Sequence, residues 1–202
     1  TYTVSGKVEG LADGDTVTIC DIGTGSLMPV DTAFVTNGKF TFKGKTDTCS
    51  VCVLVFTENG MMNTCTFFLE PGNIKINYAD QKQNVSGTKV NNAFQKFYDA
   101  VSGVEEKAMS LDQRAQQAQT KGESLESYQD EMNDLQDMYR KIIRESIMDN
   151  TDNLFGFNQL LDSYSMFEPE ELQEMLEAFQ PTYGDEEYIQ QLSEMVASQL
   201  KS

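Results

Sequence analysis

Hydrophobic and polar residues follow two different periods along the chain, and the change comes near residue 89. Before it, short runs rich in β-branched and aromatic residues alternate with polar positions, which is the pattern of half-buried strands. The clearest runs are YTVSGKV, TVTICDI, PVDTAFV, KFTFKG, SVCVLVFT, NTCTFFLE and NIKINYA. They predict seven or eight antiparallel strands arranged as a small sandwich or a barrel-like pair of sheets.

Turn residues separate the predicted strands. Asn37-Gly38 and Asn59-Gly60 suit two-residue hairpins, because both central residues of a type I′ turn have positive φ. Pro71-Gly72 suits a type II turn, in which proline sets the first central φ and glycine accepts a positive φ at the second. We therefore expect two tight hairpins and one further tight turn in this half of the chain.

From residue 89 the apolar positions recur at alternating steps of four and three, which indicates helices packed along a seam. One seam covers 90–118 and a second covers 125–142, after an interruption at 120–124. Gly122 supplies the break, and Ser124 is predicted to cap the second helix. The two seams predict a long antiparallel αα-hairpin.

Residues 153–201 predict three shorter helices. Pro169 suits a first helical turn, and Pro181 is expected to end the helix that precedes it. The chain as a whole therefore predicts an α+β fold. Its N-terminal domain, residues 1–88, is an antiparallel β-sandwich or barrel-like module. Its second domain, residues 89–202, is all helical and contains the hairpin and the C-terminal helices.

The net charge of −17 is distributed unevenly. Residues 1–88 carry 9 acids and 6 bases, whereas residues 89–202 carry 23 acids and 9 bases. Such a surface repels phosphate backbones, so we do not expect nucleic acid as a partner. The stretch 162–194 has ten acids and no base, and we interpret it either as a solvated face or as a surface for a basic partner. The possible partner surface within it comprises Glu170, Glu171, Glu174 and Glu177.

The absence of histidine removes Ser-His-Asp and Cys-His nucleophile pairs and histidine-ligated metals. The acidic turns at 13–15 and 149–153 lack the twelve-residue spacing of a calcium loop. No apolar run approaches the roughly 20 residues that span a bilayer, so we expect no transmembrane segment. These observations predict a protein without a catalytic residue, cofactor or metal.

Cys49 and Cys52 nevertheless have the Cys-x-x-Cys spacing of redox enzymes. A thioredoxin-type pair places its first cysteine at a helix N-terminus, where backbone dipoles lower the pKa of the thiol. Here the pair opens a strongly β-prone run, in which residues three apart point to opposite faces. A regular strand would therefore keep these two thiols from bonding each other or sharing a metal.

The hairpin at Asn59-Gly60 adds a register, in which Cys52 faces Phe67 and Cys65 faces Leu54. In that register Cys52 and Cys65 are diagonal neighbours, too far apart for an unstrained disulfide. We interpret the cysteines as buried structural thiols. A structural disulfide that includes Cys20 and a catalytic or metal-binding role are the alternatives.

Three segments taken together resemble a known family. They are VDTAFVTNGKFTFKG at 30–44, FFLEPGNIKI at 67–76 and VSGTKVNNAFQKF at 85–97. In order and spacing they resemble the N-terminal module known as the domain of unknown function 4369, over roughly residues 2–100. That module occurs in envelope proteins of Gram-negative bacteria, typically lipoproteins, often ahead of a thioredoxin-like thiol–disulfide oxidoreductase domain.

The resemblance implies an accessory role rather than a catalytic one. The helical stretch 100–201 looks like the connector that precedes the thioredoxin-like domain, but this sequence does not contain that domain's Trp-Cys-x-x-Cys motif. No catalytic residue of the family can therefore be assigned here. The resemblance also implies a location in the periplasm or outer membrane, with a lipid anchor upstream of Thr1.

These observations favour one function and leave two others open. The favoured function is a non-catalytic envelope module that binds or positions a partner protein, with a possible link to thiol–disulfide exchange proteins. One alternative is a thiol oxidoreductase that uses Cys49 and Cys52. The other is a small-ligand binder with a cleft between the sheet and the helices.

Overall fold

The computed structural model describes residues 1–202 and divides them into two compact units, Thr1–Gln95 and Lys96–Ser202. The sequence pattern places the domain boundary at 88/89, where strands give way to helix. The structural division falls slightly later, inside the first helix, because side chains of the first helical turns bond to the strands. These bonds include the amide of Gln95, whose Oε1 accepts from the N–H of Val85 at 2.8 Å.

Eight strands form the first unit, and they divide into two four-stranded sheets. The strands are β1 (Tyr2–Val8), β2 (Thr16–Asp21), β3 (Met28–Phe34), β4 (Lys39–Gly44), β5 (Ser50–Glu58), β6 (Met61–Leu69), β7 (Gly72–Ala79) and β8 (Lys82–Ser86). Sheet 1 has the order β4-β1-β7-β8, and sheet 2 has the order β3-β2-β5-β6. The predicted α+β fold and sandwich are confirmed, and the sheets do not close into a barrel.

One strand pair departs from the predicted antiparallel arrangement. β1 and β7 run parallel, from Tyr2 opposite Gly72 to Val8 opposite Tyr78. Alternation of apolar and polar residues predicts a strand but not its direction, and these two strands lie far apart in sequence. The inward positions of both sheets form one buried core, with contributions from Val4, Ile19, Leu54, Phe67 and Ile76.

The Asn-Gly pairs have the positive φ angles that a type I′ turn requires, 55° and 75° at 37–38 and 51° and 77° at 59–60. Asn59-Gly60 joins β5 to β6 as a hairpin, as predicted. Asn37-Gly38 is also closed by a bridge, between Thr36 and Lys39. The strands beyond it enter different sheets, so the hairpin prediction was wrong there. The turn is a corner between the two sheets.

Five helices follow the strands, as the period change predicts. They are α1 (Lys89–Thr120), α2 (Glu126–Met148), α3 (Leu154–Ser163), α4 (Pro169–Tyr183) and α5 (Glu187–Lys201), with a single 3-10 turn at Tyr164–Met166. In the predicted hairpin of α1 and α2, the Arg114 guanidinium lies 3.5 Å from the Glu131 carboxylate and 5.9 Å from the centre of the Tyr128 ring. No helix combines the length and the apolar character that a membrane crossing needs.

Two predicted helix ends were wrong. Leu125, not Ser124, is the N-cap of α2, and the Ser124 hydroxyl accepts a 3.4 Å bond from the N–H of Glu126. Pro181 lies inside α4 rather than closing it, and the helix continues to Tyr183. Packing explains the second error, because the Tyr183 ring stacks on another helix's aromatic ring with centroids 4.7 Å apart.

The helical unit has its own core where four helices meet. Its buried side chains are Ile143 and Ile147 from α2, Leu160 from α3, Leu172, Met175, Leu176 and Phe179 from α4, Ile189, Leu192 and Val196 from α5, and Phe167 between the 3-10 turn and α4. The apolar faces predicted for the C-terminal helices therefore face inward.

Candidate functional site

The four cysteines are free thiols at separate positions. Cys52 lies opposite Phe67 and Cys65 opposite Leu54, which confirms the predicted register. Both thiols are fully buried in the core between the sheets. Cys20 lies opposite Val53, so it faces away from that core and from the other two thiols. The disulfide alternative is wrong for the four thiols as the structure places them.

Burial strongly raises the pKa of three thiols. Desolvation raises the pKa of Cys65 to about 12. The pKa of Cys52 rises to about 12 for the same main reason, with a smaller contribution from Asp21. Cys49, half-buried just before β5, also has a pKa of about 12, through desolvation and then Glu70. A thiol with such a pKa is protonated at neutral pH and is a poor nucleophile and metal ligand.

The four glutamates predicted as a partner surface do not share one environment. Glu171 accepts from Arg140 at 3.1 Å and lies 3.7 Å from Arg144, and Glu174 accepts from Arg144 at 3.0 Å. Both arginines belong to α2, outside the base-free stretch that the sequence predicts as acidic. Glu170 and Glu177 are exposed and form no ion pair, so only these two remain as free anions.

The arginine cluster borders a shallow depression of about 250 Å³ in the helical unit. The Arg140 guanidinium lies 5.5 Å from the centre of the Phe167 ring, which forms part of the same wall. Asp137 and Lys141 add one charge of each sign. Because the acids and bases here largely balance, the arrangement stabilises the contact between α2 and α4 rather than attracting a charged ligand. The chain has no group of three or more acids and cysteines that could hold a metal ion.

The β unit shows a separation of charge that its small net charge conceals. The strands of sheet 1 contain five lysines and no acid, and those of sheet 2 contain three acids and no base. The lysines are Lys7, Lys39, Lys43, Lys75 and Lys82, and the acids are Asp21, Asp31 and Glu58. Sheet 1 is therefore a basic element in a strongly acidic protein.

Strand register places all five of these lysines on the outer face of sheet 1, since Lys82 lies opposite Ala79, on the same face as Lys75. In β4 the buried Phe40 and Phe42 alternate with exposed positions, and in β7 the buried Ile74 and Ile76 do the same. We call four of the five, Lys7, Lys39, Lys43 and Lys75 on the adjacent strands β4, β1 and β7, the lysine face. It is free of carboxylates from its own strands.

Two members of the lysine face lie directly opposite each other. Lys7 of β1 pairs with Lys39 of β4 across neighbouring strands. Directly opposed like charges destabilise a sheet, and no carboxylate forms a salt bridge with either amine. The two ammonium groups therefore repel each other without a compensating contact.

Sequence reasoning missed the lysine face because it averaged the charge over residues 1–88. Each strand of sheet 1 lacks acids when read alone, for example KFTFKG and NIKINYA. That signal was present, but its meaning depends on which strands share a sheet. The order β4-β1-β7-β8 joins segments from both ends of the unit, and local patterns do not encode that order.

Comparisons with known proteins identify one relationship. Neither the curated proteins nor the solved structures include a match to this chain. The family model described as Domain of unknown function (DUF4369) matches residues 2–94. This span is nearly the same as the β unit with the first turns of α1, and it confirms the family resemblance seen in the sequence. Residues 2–94 of this chain are thus a domain of the DUF4369 type.

Proposed function

We propose that the chain is a non-catalytic module of the Gram-negative cell envelope that binds and positions a partner protein. The observation that carries the proposal is the lysine face, above all the opposed pair Lys7 and Lys39. Charge segregated onto one face of a sheet orients and accelerates the approach of an oppositely charged partner. The same segregation contributes nothing to the core, so a binding role accounts for it better than a structural one.

The chemistry of the thiols supports the non-catalytic part of the proposal. Cys52 and Cys65 are fully buried and the pKa of each is raised to about 12. An oxidoreductase needs an accessible thiolate at neutral pH, which requires a lowered thiol pKa. We accordingly place any link to thiol–disulfide exchange in a partner and not in this chain.

The acidic surface of α4 is a second, smaller candidate for partner contact. With Glu171 and Glu174 engaged by arginines, the surface reduces to Glu170 and Glu177. Two exposed acids about two turns apart offer a basic partner much less than four would. The lysine face is therefore the primary surface in this proposal.

The proposal is tested by cross-linked capture from an envelope extract with the natural protein and two variants. One variant carries Lys7→Gln, Lys39→Gln, Lys43→Gln and Lys75→Gln. The other carries Glu170→Gln and Glu177→Gln, a choice that preserves the ion pairs of α2 with α4. We expect the lysine variant to lose a partner that the natural protein and the glutamate variant both retain. Identical capture by all three proteins would contradict the proposal.

The oxidoreductase alternative has its own assay. We expect no acceleration of insulin disulfide reduction by dithiothreitol above the rate of a Cys49→Ser variant. A rate that depends on Cys49 would establish the enzyme and displace the non-catalytic role.

The envelope location is tested separately from the binding role. It is supported only by the resemblance to envelope proteins, whereas the binding role is argued from the lysine face. Cells that express the natural reading frame are fractionated, and the protein is located by antibody. Recovery with the envelope fractions is expected. Recovery in the cytoplasm would remove the location and leave the binding role intact.

A further inference from the structure

We infer that the free edge of β4 accepts an acidic, extended segment of the partner as an additional strand of sheet 1. This inference rests on the proposed function and names the chemistry of its partner. Strand addition combines main-chain hydrogen bonds, which supply affinity, with side-chain contacts, which supply specificity.

The other three sheet edges are closed or protected over most of their length. The exception is the start of β6, where Met62 and Thr64 also have outward main-chain groups but no nearby charge that would select an occupant. At the β6 edge, the Gln83 amide bonds to both main-chain groups of Thr66, and the Asn91 amide does the same to Phe68. At the β8 edge, the Gln95 amide accepts from Val85 and donates to the Gln83 carbonyl. Side-chain amides here occupy the positions of a neighbouring strand.

The β3 edge is protected in a different way. Pro29 has no N–H, and the β2–β3 register shifts beside it, between Ile19 and Cys20. Proline and bulges on an edge strand are recurrent protections against pairing with another chain. Asp31 of the same strand is exposed and adds a charge.

The β4 edge has no proline, no bulge and no side-chain amide on its main-chain groups. Its only protection is the charge of its exposed lysines, which an acidic strand would neutralise. Its register with β1 is regular from Lys39 to Gly44, without a bulge or proline. The N–H of Val8 donates to the carbonyl of Gly38 at 3.4 Å, so Val8 and Gly38 are a hydrogen-bonded pair. This identifies which of the following β1–β4 pairs are hydrogen-bonded. Bonded and non-bonded pairs alternate in an antiparallel ladder. Phe40 and Phe42 therefore bond to β1, whereas the main-chain groups of Lys39, Thr41 and Lys43 point outward.

Two of these three residues have main-chain groups that are free to bond to an added strand. Lys39 already exchanges both of its main-chain bonds with Thr36 in the corner turn, at 2.9 and 3.0 Å. The N–H and C=O groups of Thr41 and Lys43 have no such partner within the fold. A strand added here would gain four main-chain hydrogen bonds, with the side chains of these two residues exposed beside it.

Charge selects the occupant. Exposed lysines stand at alternate positions along this edge, Lys39 and Lys43 within β4 and Lys45 just beyond it. Cross-strand pairs of opposite charge stabilise a sheet, and pairs of like charge destabilise it. Acidic residues at alternate positions of the incoming segment satisfy this pattern.

A second copy of this chain fits poorly. If two β4 edges paired antiparallel about Thr41, each Lys39 would lie opposite Lys43 of the other copy. That pairing would add two like-charge contacts to the opposed lysines already present. The edge therefore favours a different, acidic chain.

The test uses a fluorescent nine-residue peptide in which glutamate alternates with valine and threonine. Binding to the full-length protein is followed by fluorescence anisotropy at about 0.15 M salt, where screening over about 8 Å limits repulsion from distant acids. One control peptide replaces every glutamate with lysine. Another keeps the glutamates but carries methyl groups on alternate backbone nitrogens, so it cannot donate to a sheet edge.

Two matched pairs of variants locate the site. Thr41→Pro removes one outward N–H but none that bonds to β1, and Thr41→Val retains that N–H as its matched control. Lys43→Gln removes one charge at the edge, and Lys121→Gln removes one charge in the α1–α2 turn.

We expect the glutamate peptide to bind and both control peptides to bind at least tenfold more weakly. Thr41→Pro should weaken binding about tenfold, the effect of roughly one hydrogen bond. Lys43→Gln should weaken it about two- to fivefold. Thr41→Val and Lys121→Gln should bind as the natural protein does. Amide hydrogen exchange should slow at Thr41 and Lys43 in the complex.

Two results would overturn the inference. Equal binding of the methylated peptide would mean that the lysine face attracts acids without strand addition. Binding to vesicles that contain anionic lipid, without binding to the peptide, would assign the face to a membrane surface. Because the methylated peptide is tested on the natural protein, the answer does not depend on whether Thr41→Pro folds. If the methylated peptide binds equally well, the strand-addition inference fails. The proposed function would still be upheld if the four-lysine variant loses the captured partner.

Discussion

The side chain of Asn91 forms two hydrogen bonds with the main chain of Phe68. Its Oδ1 accepts from the N–H and its Nδ2 donates to the carbonyl, both at 2.8 Å. Asn91 is fully buried in the first turns of α1, and Phe68 is on the edge strand β6. The amide therefore replaces a neighbouring strand and joins the helix to the sheet. Nδ2 also donates to the Thr88 hydroxyl at 2.8 Å.

Asn91→Asp should destabilise the protein by about 3 kcal/mol or more, because it removes both Nδ2 bonds and buries a carboxylate. Asn92→Asp is the matched control. Asn92 is exposed and its Oδ1 only accepts, from the N–H of Gly87 at 3.0 Å. A carboxylate retains that role and favours the helix N-terminus, so its stability should stay within about 0.5 kcal/mol of the natural protein. Equal urea midpoints for the two variants would show that the Asn91 bonds do not stabilise the fold.

The register around the cysteines could be predicted because it depends on one local signal. Asn59-Gly60 defines a two-residue turn, and the turn fixes every β5–β6 pair, including Cys52 with Phe67. The two-sheet division and the basic character of sheet 1 depend instead on contacts between segments distant in sequence. Asn37-Gly38 illustrates the difference, because its turn forms as predicted while its strands enter different sheets.

The partner surface predicted on α4 shows the same limit. Its acids were visible in the sequence, but Arg140 and Arg144 approach them from another helix. Counting charges within one stretch of chain cannot show which of its members find partners elsewhere. Only the packing of α2 against α4 determines which of the glutamates are paired with arginines.

Glu171→Gln should destabilise the helical unit by about 1 kcal/mol, because it removes a carboxylate that faces two arginines. The Arg140 side chain is 40 % exposed, so solvent screens the ion pair. The expected loss of stability is therefore no larger than the upper end of the range for surface pairs. Glu170→Gln makes the same change one residue earlier, at an exposed acid without a partner, and should be neutral within about 0.5 kcal/mol. Thermal unfolding at low and high salt measures the stability of both variants. The difference in stability between them should shrink as the salt concentration rises. A salt-independent difference would argue against an electrostatic origin.

Thiol labelling should distinguish Cys49 from the cysteines of the core. Cys49 is half-buried, whereas Cys52 and Cys65 have no exposed surface. The pKa is about 12 for all three thiols, so about 10⁻⁴ of each is ionised at pH 8 and acidity does not distinguish them. The difference in exposure does. We expect mass spectrometry to find a thiol reagent on Cys49 well before the core thiols, which should react only when the protein unfolds. All four should react rapidly in denaturant, and fast native labelling of Cys52 would contradict their buried placement.

Stability should fall steeply in alkaline solution, and the core thiols should supply part of the slope. The pKa of Cys65 is raised from an ordinary value of 9.0 to about 12. Below pH 9 the thiol is protonated in both the folded and the unfolded chain, so its contribution to stability is fully present. Between pH 9 and 12 only the unfolded chain loses the proton, and the free energy of unfolding falls by up to about 1.4 kcal/mol per pH unit. Cys65→Ala should therefore start from a lower stability and lose it less steeply between pH 9 and 11.

Thr64→Ala, at the exposed neighbouring position, removes no ionisable group and should keep the slope of the natural protein. Urea unfolding at each pH measures the three slopes, and a Cys65→Ala slope equal to the other two would refute the raised pKa.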